Sequence, residues 1–168
     1  EYGRHRALLG EAEALARAFD DRVRLIGVLT RINNVRRITG DPDGAIMAGR
    51  QALELAVELG ESALQVQASL TLGQTCVAIG DFGRAAELLR HNVEAVDRES
   101  DASSTDFRIR SRAWLARTLS ALGAFAEGRR HGEKALRLAT LEGRGATPTI
   151  VHGCLGLLSL TKGDLAHS

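Results

Sequence analysis

The stretch from Leu72 to Val93, LGQTCVAIGDFGRAAELLRHNV, contains two helical patterns joined by the pair Gly80-Asp81. Glycine accepts the left-handed conformation that closes a helix, and aspartate is a favoured N-cap of the helix that follows. Similar junctions, at successive intervals of 40, 43 and 40 residues, lie at Gly40-Asp41, Gly80-Asp81, Gly123-Ala124 and Gly163-Asp164. The spacing predicts a repeated helix–turn–helix unit.

Apolar residues recur three and four positions apart on both sides of these junctions, which is the period of an amphipathic helix. This pattern predicts helices at residues 4–19, 22–39, 42–59, 62–79, 82–98, 106–122, 125–141 and 148–162. We interpret residues 1–168 as a single repeat domain, with repeats at 22–61, 62–105 and 106–147. Residues 1–21 then supply the second helix of a cut repeat and residues 148–168 the first helix of another. The chain is therefore expected to be a fragment of a larger protein.

Small residues occupy matching positions in these units, for example Ala45, Ala85 and Gly128 near the start of each second helix. Small side chains let two helix backbones approach closely. One hairpin of this size cannot bury its apolar face alone, so neighbouring hairpins must stack. The expected fold is all-α, a solenoid of antiparallel helix pairs.

The composition excludes several classes of protein. The chain has 22 basic and 21 acidic residues, and a net charge of +1 argues against a nucleic-acid binder or a polybasic membrane anchor. No apolar run is long enough for a membrane span. Cys76 and Cys154 lie in apolar helical patterns, so we expect buried, reduced thiols and a cytoplasmic location.

The pattern of Leu72-Gly73, Gly80-Asp81-Phe82 and Ala85 resembles the tetratricopeptide repeat (TPR), whose paired helices form a right-handed superhelix. Residues 63–66, 72–93, 111–128 and 153–165 more narrowly resemble the C-terminal repeats of multidomain bacterial adenylate/guanylate cyclase-like proteins that carry a central ATPase. The resemblance implies a role in signalling. It also implies that any cyclase or ATPase activity lies in other parts of the parent protein.

Motifs for catalysis, metals and cofactors are not found. The stretch nearest to a phosphate-binding loop, Glu142 to Pro148, lacks the lysine that such a loop requires. The five histidines show no spacing typical of a metal site. His91 and His131 are expected to be solvated, and His152 to lie at a helix-packing position. We therefore predict a protein that is not an enzyme and needs no cofactor.

The resemblance implies that the first helices of the repeats line a concave groove. Asn34, Gln74 and Arg117 occupy one equivalent position on these helices, with Arg37 and Arg110 beside them. Amides and guanidinium groups bind peptide backbone and carboxylates. These five residues are the predicted binding site for a protein or peptide segment rich in acidic or amide groups. The alternative is an ordinary hydrated surface.

Two functions remain open at this point. The first is a scaffold that docks a protein segment and relays this event to attached cyclase or ATPase domains. The second is an effector-sensing arm, in which a small-molecule inducer controls an attached ATPase or transcription regulator. Self-association is a further expectation, because uncapped solenoid ends expose apolar residues. At the C-terminal end these are Leu155, Leu158 and Leu165.

Overall fold

A computed structural model describes residues 2–98, 105–142 and 147–163, and all its regular elements in these ranges are α-helices. The helices are α1 (Tyr2–Ala18), α2 (Arg22–Ile38), α3 (Pro42–Leu59), α4 (Ser62–Ala78), α5 (Phe82–Arg98), α6 (Thr105–Ala121), α7 (Phe125–Glu142) and α8 (Thr147–Lys162). Every observed helix end lies within two residues of its predicted position. The all-α prediction is confirmed.

The junction glycines adopt the left-handed conformation that the sequence predicts, with φ of 81° at Gly40, 82° at Gly80 and 77° at Gly123. The side chain of Asp41 caps α3 by accepting a hydrogen bond of 3.0 Å from the Gly44 amide. Asp81 accepts from the Arg84 amide at 3.2 Å. These bonds satisfy amides that a helix leaves without an internal partner. Asp164, the last predicted cap, lies outside the described residues.

The chain divides into two compact units, Glu1–Gly80 with α1 to α4 and Asp81–Ser168 with α5 to α8. The sequence predicted a single domain, with no boundary at this point. Within the first unit each helix packs on the next, and α2 also packs on α4. Within the second unit the same succession holds, and α6 also packs on α8. Contact between a helix and the next but one is typical of stacked hairpins.

The core of the first unit relies on small residues of α3, because Ala45, Ala52 and Ala56 are fully buried. Asn33 of α2 is buried among them, with its two polar atoms satisfied. Its Nδ2 donates to the Ala45 carbonyl at 2.7 Å, and its Oδ1 accepts from the Thr75 hydroxyl at 3.2 Å. One buried amide thus connects α2, α3 and α4.

The core of the second unit includes Ile109, Ala135 and Val151, all fully buried. Ala85 and Gly128 are also buried, as their matching positions predict.

The expectation of uncapped leucines at the C-terminal end was wrong for Leu158, which is 2% exposed. The absent side chain of Gly128 makes room for it, since a Cβ there would lie 3.0 Å from the Leu158 Cδ1. Leu155 is partly buried against the core, and Leu165 lies outside the described residues.

Candidate peptide-binding faces

The predicted site residues of the first unit begin on α2. Asn34 is exposed, and its Oδ1 accepts a hydrogen bond of 2.6 Å from an Nη atom of the half-buried Arg37. An amide held one helical turn from a guanidinium can offer both donors and acceptors to a peptide backbone. Asn34 and Arg37 therefore form a preassembled polar pair on α2.

Gln74 of α4 differs from this pair, because it is only 5% exposed. Its neighbours on the same face, Leu70 and Val77, are 1% and 6% exposed. The sequence contained a signal for this burial, since α4 has no charged residue in its 17 positions. A helix that is uncharged and apolar on most sides is typically buried. Gln74 therefore offers little surface to a partner in this structure.

The predicted residues of the second unit lie on α6, where Arg110 and Arg117 are both half-buried. Arg110 donates to the Asp106 carboxylate at 3.3 Å. The guanidinium carbon of Arg117 lies over the Trp114 ring, 5.0 Å from its centroid. A cation in this position is attracted by the negative face of the indole. Trp114 was not among the predicted binding residues.

Two donors on this face have no hydrogen-bond partner among the described residues. They are the Trp114 Nε1 and the Arg110 Nε, and both atoms are buried. Buried polar groups are normally satisfied, so an orphaned donor calls for an acceptor such as a carbonyl, a carboxylate or a water molecule. Arg110, Trp114 and Arg117, which we call the α6 face, thus combine positive charge with an aromatic surface.

A second charged group lies in the same unit but has a structural role. Arg112 is fully buried, and its guanidinium pairs with the Asp97 carboxylate and donates to the Arg108 carbonyl at 3.1 Å. Lys134 lies 3.5 Å from the other Asp97 oxygen. Burial alone would raise the pKa of Asp97, but the hydrogen bond and charge of Arg112, helped by Lys134, lower it. This ion-pair group connects α5, α6 and α7.

His131 of α7 is half-buried rather than solvated, which corrects the sequence expectation. Burial is the main cause that lowers its pKa, and the positive charge of Arg112 is the next. His91 is exposed as expected. His152 is also exposed, so the expectation that it lies at a packing position was wrong.

The remaining reactive groups of the described residues are the two cysteines and the side chains that could bind a metal. Both cysteines are free and buried, as predicted, and burial raises the pKa of Cys154 to about 11. No group of three metal-binding side chains occurs among the described residues. None of the described helices is long and apolar enough to cross a membrane.

The structure thus assembles two small faces from the predicted residues. Asn34 contacts Arg37 in the first unit, while Arg117 stacks on Trp114 near Arg110 in the second. The continuous row that would join Asn34, Gln74 and Arg117 crosses from one unit to the other and stays a prediction.

Comparison with known proteins identifies the fold. No family model and no curated protein match the chain. Among solved structures, the crystal structure of BtubC (BKLC) from P. vanneervenii is similar, with a TM-score of 0.77 and 21% sequence identity. The match covers 99% of this chain and 68% of that one. The chain is therefore an all-α protein of helical-repeat type, with a solenoid-like fold.

Proposed function

We propose that this chain is a non-catalytic interaction module of a bacterial signalling protein. Its helix pairs are TPR-like repeats, and it docks a protein segment rich in acidic or amide groups. Docking is relayed to attached cyclase or ATPase domains in the cytoplasm. The sequence resemblance described above motivates the signalling setting, and the similar fold of BtubC is consistent with a helical-repeat scaffold.

The α6 face is the observation that carries this proposal. Arg110 and Arg117 supply charge for carboxylates, and the Trp114 ring between them supplies an apolar surface. Aromatic and arginine side chains are enriched at the energetic centres of protein interfaces.

The test is a double substitution of the two guanidinium groups, Arg110→Ala with Arg117→Ala. Short fluorescent peptides rich in Asp, Glu, Asn and Gln serve as probes, and fluorescence anisotropy measures their affinity. A charge-assisted hydrogen bond contributes roughly 1.5–3 kcal/mol, so losing two should weaken binding by about a hundredfold or more. Binding to the wild type should also weaken as salt is added.

The matched control replaces two exposed arginines of the same unit, Arg84→Ala with Arg137→Ala. We expect it to bind the peptides as the wild type does. If the control pair abolishes binding while the α6 pair leaves it unchanged, the binding site lies elsewhere and the proposal is wrong.

The effector-sensing function is the second candidate, and a groove of about 540 Å³ in the first unit favours it. Its lining mixes the charged Arg36, Arg50 and Glu54 with the apolar Ile32 and Met47. These side chains could offer both ionic and apolar contacts to a small ligand. A thermal-shift screen with metabolites would detect such binding, and Arg50→Ala should abolish the shift without weakening peptide binding.

A further inference from the structure

A second groove of the first unit lies between α1 and α2. It has a volume of about 460 Å³ and is lined by Leu15, Phe19, Gly27 and Val28, among others. Phe19 is 79% exposed and Leu15 58% exposed. Neighbouring large apolar side chains with this much exposure are typical of a surface that binds a partner. We call this site the N-terminal groove.

The apolar residues of α1 follow the spacing of one helix face. Leu8, Ala12 and Leu15 of α1, and Phe19 directly after the helix, are separated by four, three and four positions, and Leu8 is also 55% exposed. Leu9 and Ala16 of the same helix instead pack on the core. Helix α1 thus has one apolar face in the core and a second apolar face open to solvent.

The dimensions of the groove fit a helix. Its lining on α2 runs from Asp21 to Arg31, which corresponds to about 15 Å along a helix axis, or nearly three turns. Gly27 lies in the middle of this run, and a Cβ there would have no atom within 4 Å. The missing side chain lets a partner backbone approach α2 closely, as ridges-into-grooves packing requires.

The charges at the rim decide what kind of helix fits. Arg24 is already paired with Asp21 at 3.2 Å, whereas no ion pair among the described residues involves Arg31, which is exposed. The unbalanced charge at the rim is therefore positive. A second copy of this chain would offer the exposed Leu157 and Leu160 of α8, but the sequence of α8 contains no acidic residue.

From the open apolar face, the groove length and the positive rim, we infer that the N-terminal groove binds an amphipathic helix of another protein. The helix places its apolar side chains on Leu15 and Phe19 and an acidic side chain beside Arg31. Grooves of this kind recognise apolar anchors spaced three, four and seven residues apart. This surface is distinct from the α6 face and does not depend on it.

The test uses two synthetic peptides of about fourteen residues, or four helical turns. Both carry leucines at helical spacing, flanked by glutamates in the first peptide and by lysines in the second. Anisotropy with the full chain should show binding of the glutamate peptide. Phe19→Ser should weaken that binding about tenfold or more, because it removes the largest exposed apolar contact. Arg31→Glu should weaken the binding of the glutamate peptide about tenfold and allow the lysine peptide to bind.

The controls are Val57→Ser on α3 and Arg84→Glu on α5, an exposed apolar residue and an exposed arginine that line neither groove. They should leave the affinity unchanged. Circular dichroism should show that all four variants keep the wild-type helicity, since each replaced side chain is exposed.

Three outcomes would overturn the inference. The first is that the glutamate peptide fails to bind, or that neither groove substitution changes its affinity. The second is equal binding of the two peptides to the wild type, which would show that charge does not select the partner. The third is wild-type self-association that Phe19→Ser abolishes, which would identify a second copy as the occupant.

Discussion

Among the residues that the structure describes, Asp20 is the one non-glycine residue with a positive φ, which is 50°. It lies between α1 and α2, where the later junctions have Gly40, Gly60 and Gly80 with φ from 70° to 82°. A side chain in the left-handed region costs about 1–2 kcal/mol. The first junction therefore has the geometry of the others without the residue that suits it.

Asp20→Gly should stabilise the chain by about 0.5–1 kcal/mol, the strain relieved minus the entropy that glycine adds to the unfolded state. The Asp20 carboxylate lies 3.8 Å from Arg22 and is 91% exposed, so its loss should cost little. Chemical denaturation would measure the change. Asp43→Gly, within α3, is the control and should destabilise the chain. Equal shifts of both variants would contradict the assignment of strain to Asp20.

Asn33 and Asn34 are adjacent in sequence but have opposite surroundings. Asn33→Ala removes the amide that bonds to Ala45 and Thr75 inside the core, so we expect a loss of about 1–3 kcal/mol. Asn34→Ala, at an exposed position, should change the free energy of unfolding by about 0.5 kcal/mol or less. The denaturation midpoints of the two variants would give the two losses of stability for comparison. Similar losses would mean that the buried amide is not a structural node.

At the scale of elements, the packing of α5, α6 and α7 places charge around a half-buried histidine. Burial is the largest cause that disfavours the charged form of His131, and Arg112 of α6, Arg130 of α7 and Arg90 of α5 act in the same direction, whereas Glu127 opposes them. Glu127 is itself engaged, since Arg90 donates to it at 3.1 Å and this bond lowers the pKa of Glu127. The surroundings of His131 in the second unit therefore favour its neutral form.

This arrangement predicts that stability falls on acidification. The unfolded chain binds a proton at the ordinary histidine pKa of 6.5, whereas the pKa of His131 in the folded chain is lower. Below pH 6.5 the unfolded state thus binds more protons, and acid favours it. The lowered pKa of Asp97 acts in the same direction, as the pH falls below the ordinary value of 3.8.

Denaturation curves between about pH 7.5 and 5.5 would isolate the histidine contribution. His131→Gln should lose part of the pH dependence of the wild type. His91→Gln, at an exposed position on α5, should retain all of it. If the two variants behave alike, His131 is not the group responsible.

At the scale of the whole molecule, the near balance of charge means that association must depend on local surfaces. Self-association remains a prediction, and the structure changes the residues that would carry it. Leu158 is buried, whereas Leu157 and Leu160 of α8 are 41% and 54% exposed. Both lie on one side of the helix, so they supply the apolar surface that a second copy could cover.

Sedimentation equilibrium should therefore show association of the wild type that increases with concentration. The double substitution Leu157→Ser with Leu160→Ser should remove it, since it removes the apolar contact. Leu141→Ser, at a leucine of α7 that is 79% exposed, should leave it unchanged. A wild type that stays monomeric up to millimolar concentration would contradict the prediction.

The sequence predicted the helices closely because their ends depend on local chemistry. Gly40 with Asp41 and Gly80 with Asp81 close one helix and cap the next through bonds that span only a few residues. Such bonds form whatever the rest of the chain does. The buried positions of Ala85 and Gly128 were also predictable, because helical periodicity places them on a packed face.

The tertiary structure alone decided which polar residues remain accessible. The repeat register that made Asn34 and Gln74 equivalent did not distinguish the exposed residue from the buried one. The uncharged sequence of α4 favours burial of that helix, but it does not show which of its polar side chains are covered. Likewise, Arg112 reads in the sequence as a surface residue, yet it is fully buried against Asp97. Burial depends on which distant segment covers a helix face. A local pattern fixes where a side chain points on its own helix, but the neighbouring helices determine whether water reaches it.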